Sequence, residues 1–231
     1  KAKELFRLHN VPTPTYYVVD GSLPLTEVLQ AHGSFGYPVV VKPRREGSSV
    51  GVRVAHNGSE LLTALAQARQ YDSSVLVERF VEAKEVAVGI LDGRVLGAIE
   101  IEHGRDAYDY EAKYASKSTQ YFMPARLTAQ RYRNVLNLAM RAAEALGVRG
   151  AVRVDLLVTE AENEYVLEVN TLPGMTESSL LPKIARAAGF DFVELCEAIV
   201  GGARLDTGRV ATKAPSKSEL QPLELPLSVA V

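Results

Sequence analysis

The chain holds 231 residues, 47% hydrophobic and 23% charged, enough for one large or two small domains and unlike a disordered or fibrous sequence. A formal net charge of −2 and a pI near 6.2 give no basic footprint for nucleic acid, and no apolar run approaches the roughly 18 residues of a membrane helix. The one cysteine, Cys196, cannot close an internal disulfide and reads as a small core residue, in keeping with a reducing compartment.

The chain opens at Lys1 without methionine, already in a helical pattern, which implies sequence upstream; no signal peptide is visible. Ala2 to Leu8 is a turn or two of helix, ended by Asn10 and the Val-Pro-Thr-Pro run. Tyr16 to Val19 reads as a short strand and Thr26 to His32 as a short helix before Gly33. Pro38 to Pro43 is a strand entering a glycine-rich loop, from which Val50 to Ala55 returns. Ser59 is placed to cap a helix reaching Gln70, with Leu61, Leu62, Leu65 and Ala68 on one face. Val75 to Val81 is a strand. Glu85 to Leu91 and Val95 to Glu102 form a hairpin at Asp92-Gly93, a pair suited to a tight turn. His103 to Gln120 is polar, tyrosine-rich and long for a loop, which points to function. Thr128 to Leu146 is the longest helix, stopped by Gly147. Ala151 to Val158 and Tyr165 to Val169 alternate as strands. Ser179 to Ala188 follows, then a helix begun by the capping-box pattern Asp191-Phe-Val-Glu194. Arg204 to Val231 is rich in Thr, Lys, Ser and Pro and reads as a tail or linker.

The last hairpin gathers polar residues on one face. If Thr159 pairs with Glu164 across the loop Glu160-Ala-Glu-Asn163, Asp155 falls opposite Glu168 and Arg153 opposite Asn170. Two carboxylates about 5 Å apart repel by roughly 3 kcal/mol at an effective dielectric near 20, and opposed like charges destabilise a sheet. A hard cation relieves that repulsion, and oxygen donors without His or Cys suit magnesium or manganese. An edge hairpin with a solvated polar face accounts for the same residues about as well.

Three loops can carry chemistry. The run Lys42-Pro-Arg-Arg-Glu-Gly47-Ser48-Ser49-Val-Gly51 can turn backbone N–H groups around an anion, with Lys42 adding a fixed charge. It lacks the Gly-Lys-Ser/Thr of a Walker loop, and a plain hairpin stands as an even alternative. Lys113 alone reads as a solvated loop lysine, but Tyr108, Tyr110, Tyr114 and Tyr121 around it suit a lid that packs down. Pro173-Gly174-Met-Thr-Glu-Ser-Ser179-Leu180 offers close backbone approach and open N–H groups at a helix start, although a simple cap and turn is the plainer account.

In chain order these motifs are VKPRREGSSVGV, VLVERFVEAKE, YDYEAKY, RVDLLV and YVLEVNTLPGMTESSLLP. Over residues 1 to 200 the order resembles the ATP-grasp superfamily, and within it the D-alanine–D-alanine ligases. The resemblance implies an α+β fold with two α+β lobes sandwiching ATP: residues 1–83 as the central domain, 84–203 as the C-terminal catalytic domain and 204–231 as a tail or linker. It implies that Lys42 and Lys113 contact the phosphates and that Gly47, Ser48 and Ser49 fold over them. Glu78, Arg79, Phe80 and Val81 would meet the adenine edge, and Glu85 the ribose hydroxyls. By the same resemblance Asp155, Glu168 and Asn170 hold two Mg2+ or Mn2+ ions. Arg153 and the Gly174 N–H steady the transferring phosphoryl and the oxyanion, Ser179 and Leu180 hold the carboxylate of the second D-alanine, and Ser48 pairs with Tyr114.

The implied reaction joins two D-alanine molecules through an acyl phosphate, in the cytoplasm, for peptidoglycan synthesis. Rival expectations are a D-lactate or D-serine acceptor, and a nucleotide-binding piece that does not ligate. Relatives also carry an N-terminal domain, through which they often pair as homodimers. It supplies an acidic residue for the first D-alanine and a lysine just before the position of Lys1, so this chain resembles the central and C-terminal domains alone. Many relatives have an aromatic residue where this chain has Ala107.

Overall fold

The computed structural model describes residues 1–47, 49–102, 119–161 and 163–204. Two antiparallel sheets, each backed by helices, make an α+β fold. The first has the order β1-β4-β2-β3, built from β1 (Tyr16–Asp20), β2 (Val39–Pro43), β3 (Arg53–Ala55) and β4 (Ser74–Arg79). On one face Val19, Val39, Val41, Val75 and Val77 meet Val28 of α2 (Leu25–His32) and Leu61, Ala64, Leu65 and Ala68 of α3 (Gly58–Ala68). Strand side chains alternate, so the register Val40↔Glu78 and Lys42↔Leu76 leaves Lys42, Leu76 and Glu78 on the face turned away from those helices. The cap of α3 is Asn57, not Ser59. Its side chain accepts from the Glu60 N–H at 3.0 Å and donates from Nδ2 to Glu60 Oε1 at 2.6 Å, a reciprocal arrangement that Ser59 cannot make from inside the first turn.

The second sheet has the order β7-β6-β5-β8-β9, from β5 (Lys84–Leu91), β6 (Arg94–Glu102), β7 (Gln120–Phe122), β8 (Ala151–Val158) and β9 (Glu164–Asn170). Asp92 and Gly93 both take positive φ, 47° and 79°, as the tight β5–β6 turn requires. α4 (Ala129–Ala145), capped by Thr128, lays Val135, Leu138, Ala139 and Ala142 on Val86, Val88, Val152, Val154 and Leu156. The opposite face of β5 and β6 is covered by α5 (Leu180–Ala187), and α6 (Phe192–Gly202) follows with the expected Asp191–Glu194 capping box. α5 sits so low that a Cβ on Gly89 would stand 3.0 Å from Ile184 Cγ2 and 3.1 Å from Leu181 Cδ1.

The first dozen residues, grouped with the first lobe in the sequence reading, pack with the second core. Phe6 of α1 (Ala2–Leu8) and Val11 are buried among the α4 contacts, and the Val166 N–H donates to the Pro12 carbonyl at 2.8 Å. Three residues later the Thr15 carbonyl accepts from the Arg79 N–H of the first sheet, also at 2.8 Å. The chain thus passes from one sheet to the other between Pro12 and Thr15.

Candidate active site

The polar face of the second sheet is made by a bulge. β8 and β9 pair as Arg153↔Asn170, Val154↔Val169 and Asp155↔Glu168, then slip, so that Leu156 faces Val166 and Val158 faces Glu164. Glu164 is therefore paired with Val158 and not with Thr159, whose N–H donates to the Asn163 carbonyl at 2.9 Å, and Leu167 is the extra residue of a β-bulge. Val166 and Val169, three apart, both reach the α4 core, which an unbroken strand forbids. The bulge reverses the phase and turns Glu168 and Asn170 onto the face that holds Asp155 and Arg153.

Within this cluster Arg153 Nε and Nη2 donate to Asp155 Oδ1 and Oδ2 at 2.7 and 2.8 Å. Asn170 Nδ2 donates to Asp155 Oδ2 at 3.1 Å and to Glu168 Oε1 at 3.2 Å. Donors thus occupy the space between two carboxylates where positive charge is wanted. Among the described residues no three His, Cys, Asp or Glu gather as metal ligands; the third oxygen here belongs to an amide. Two carboxylates and an amide oxygen are hard donors that fit Mg2+ or Mn2+, once Asn170 turns its oxygen inward and Arg153 lets go of Asp155. Glu85, opposite Leu157 on β5, shares this face one row away.

On the first sheet Glu78 is only 2% exposed and carries one ammonium on each oxygen: Lys42 Nζ lies 2.6 Å from Oε2 and Lys3 Nζ 2.9 Å from Oε1. The Lys3 contact is an ion pair by distance but is poorly aligned, so Oε1 has no well-formed hydrogen bond. Lys3 also donates to Thr13 Oγ1 and stands 5.5 Å from the Tyr16 ring centroid. Burial pushes its ammonium below the usual lysine range, against the pull of Glu78 and, more weakly, of Glu168. The charge of Glu168 thus reaches across from the second sheet. Lys3 is absent from the sequence-based site. Its signal is helical: it falls one turn before Phe6, on the buried stripe of α1.

The loop after Lys42 is anchored at its root. Arg45 grips Asp72 at 3.0 and 2.7 Å, and those bonds, with the Ser74 N–H, hold the Asp72 carboxyl well below the usual carboxylate range. Beyond the root, the Val50 N–H donates to the Gly47 carbonyl and the Val52 N–H to the Ser49 carbonyl, which shortens β3 relative to the expected Val50 start. Ser49 and Gly51 take φ of 60° and 69°. A Cβ on Gly51 would also come within 2.9 Å of Pro43 and Tyr71. Ser48, Lys113, Tyr114 and Ala107 lie outside the described residues.

At the end of β4 the Arg79 and Phe80 N–H groups are taken by the Thr15 and Pro38 carbonyls at 2.8 and 3.1 Å, ahead of half-buried Val81. An adenine edge there has to be met by other main-chain atoms. Beside α5, a Cβ on Gly174 would stand 2.7 Å from Ser179 Oγ. That hydroxyl accepts from the Thr176 N–H at 3.1 Å and does not cap the helix. The Leu180 side chain packs with Ile99 and Ile184, so what it can offer a ligand is its main-chain N–H.

The family described as D-ala D-ala ligase C-terminus matches residues 6–201. The D-alanine–D-alanine ligase of Geotalea uraniireducens is 51% identical over 171 residues, covering 74% of this chain and 55% of that protein. That of Geobacter sulfurreducens is 46% identical over 205 residues, 88% of this chain and 64% of the relative. The chain thus spans less than two thirds of either. The crystal structure of D-alanine–D-alanine ligase from Bacillus anthracis complexed with ATP superposes with a TM-score of 0.73 at 31% identity, over 87% of this chain and 63% of that one. For the VanG D-Ala:D-Ser ligase of Enterococcus faecalis the TM-score is 0.78 at 30% identity, over 87% and 59%. Sequence and backbone agree over nearly the whole described length, and the chain belongs to the D-alanine–D-alanine ligase C-terminal family, with the ATP-grasp fold of its structural neighbours.

Proposed function

We propose that this chain is the ATP-binding and catalytic part of a cytoplasmic ligase that joins two D-alanine molecules through an acyl phosphate, for peptidoglycan precursors. The observation that carries this reading is the Leu167 bulge, which collects Asp155, Glu168 and Asn170 on one face. Relatives between 43% and 51% identical carry the name D-alanine–D-alanine ligase, which supports D-alanine as the acceptor.

Residues 13–83 then form the nucleotide-covering lobe and 84–203 the catalytic lobe, on whose core residues 1–12 also pack, with 204–231 a tail. Asp155, Glu168 and Asn170 would hold two divalent ions, which when bound offset the negative charge of the transferring phosphoryl group. Lys42 and Lys113 hold phosphates, the amides of Gly47, Ser48 and Ser49 cover them, and Glu78 to Val81 and Glu85 hold adenine and ribose. Arg153, freed from Asp155, steadies the phosphoryl oxygens, and the Gly174 N–H steadies the oxyanion when the second amine attacks. Ser179 and the Leu180 N–H orient the second substrate's carboxylate, and the Ser48–Tyr114 pair closes the lid against water. An N-terminal domain like that of the relatives would supply the first D-alanine site and a dimer interface.

The test is ADP release on a fusion in which the N-terminal part of the Geobacter sulfurreducens relative precedes this chain. Release that depends on D-alanine and Mg2+, with D-alanyl-D-alanine formed, is the expected result. No D-alanine-dependent turnover refutes the proposal.

A further inference from the structure

Lys3 stands outside every motif that carries the family resemblance, yet it holds one oxygen of a buried carboxylate whose other oxygen belongs to Lys42. We infer that Lys3 is the standing counter-ion of Glu78, and that its presence lets Lys42 leave Glu78 for the phosphates of a bound nucleotide. The inference rests on the proposed nucleotide site and adds to it a residue and a division of labour.

The two lysines differ in how they are held. The Lys3 side chain is 10% exposed, tied to Thr13 and set against Tyr16, whereas that of Lys42 is 24% exposed at the open face of the sheet. Lys42 is therefore the movable partner and Lys3 the fixed one. A buried carboxylate stripped of its only cation is strongly disfavoured. With Lys42 alone, attraction to the phosphates would compete directly with attraction to Glu78. With Lys3 on Oε1, Glu78 stays neutralised when Lys42 turns away. Among the described residues the charged and titratable groups facing this pair are Lys3 from α1, Lys42 from β2, Tyr16 from β1 and, acting on Lys3, Glu168 from β9. Because α1 packs with the second core, Lys3 also delivers this charge from the lobe opposite the sheet that holds Glu78.

The test is calorimetric titration of this chain with Mg·ADP near neutral pH, in two buffers of different protonation enthalpy, which separates affinity from proton uptake. The parent and K3R are expected to bind with similar affinity and the same proton exchange. K3M is expected to bind about tenfold more weakly and to take up an additional proton per ADP, as Glu78 protonates when Lys42 departs. K3M/E78Q, with no carboxylate left to protonate, should lose that uptake. A merely structural Lys3 would weaken binding without moving protons. K3M with unchanged affinity and proton count overturns the inference, as does K3R failing like K3M, or extra uptake that persists in K3M/E78Q. Should K3M not fold for want of the counter-ion, K3M/E78Q, which removes the buried carboxylate's charge as well, should fold again; a double variant that does not fold overturns the inference. Failure of the parent itself to bind Mg·ADP instead removes the nucleotide reading, and this inference with it.

Discussion

Replacing Glu168 with glutamine (E168Q) perturbs the acidic cluster in two directions at once. Asn170 Nδ2 bridges Asp155 Oδ2 and Glu168 Oε1 at 3.1 and 3.2 Å. Those oxygens are therefore no more than about 6 Å apart, and two unit charges there repel by about 3 kcal/mol at an effective dielectric of 20. Glu168 is exposed and Arg153 already offsets Asp155, so screening leaves roughly 1 kcal/mol to be recovered. Without ligand, E168Q is expected to melt about 2–4 °C above the parent. With Mg2+ and ADP the order reverses. Ligand at about a hundred times its Kd stabilises the parent by about 2.7 kcal/mol, or about 5–10 °C for a chain of this size. E168Q lacks one hard oxygen donor and should gain about a degree at most. Thermal melts of both proteins with and without Mg·ADP read both effects. A ligand-induced shift in E168Q equal to the parent's, or an E168Q less stable than the parent without ligand, refutes the picture of a repulsive pair relieved by a cation.

Three further outcomes follow from the packing and charge. G89A drives a methyl group to 3.0–3.1 Å from Ile184 and Leu181, and is expected to destabilise the chain by about 1–3 kcal/mol in urea titrations. Asp72 is held below its usual range chiefly by Arg45, so its contribution is fully present above the unfolded value near pH 4 and is lost as pH falls through the folded value. Urea midpoints of D72N should therefore lie below the parent's at pH 7 and converge with them in acid; a constant gap refutes the assignment. E100A removes a buried carboxylate that accepts from Arg126 at 2.7, 2.9 and 3.2 Å and pairs with Lys84 at 3.2 Å. Both cations are partly exposed, so the loss should be about 2–3 kcal/mol by chemical denaturation, and E100Q should recover part of it.

Some of this arrangement was legible in the sequence and some was not, for identifiable reasons. The facing of Asp155 and Glu168 follows from alternation in two apolar runs and was correct, but through two offsets that cancel. The hairpin closes one residue tighter than Thr159–Glu164, and Leu167 restores the register. An apolar residue in an apolar run carries no mark of a bulge; only the shared burial of Val166 and Val169 betrays it. The Asp191 capping box was legible because its two residues bond each other locally. Asn57 and Ser59 are both good caps by residue type, and the choice between them depends on where Glu60 reaches. Lys3 was hidden because a lysine on a short, polar helix normally faces water; its burial depends on Glu78, 75 positions away in the chain.

The passage between Pro12 and Thr15 limits how the two halves can swing. One carbonyl is fastened to β9 and the other to β4, so a rotation that keeps both bonds must be absorbed by the torsions of Thr13 and Pro14. The proline ring fixes φ at the second of these and disfavours helical geometry at the first. The only other crossing among the described residues near this point is Phe80 to Ala83, between β4 and β5. Two short tethers define an axle, so any rotation of one sheet against the other that keeps these bonds has to run about it, like the covers of a book.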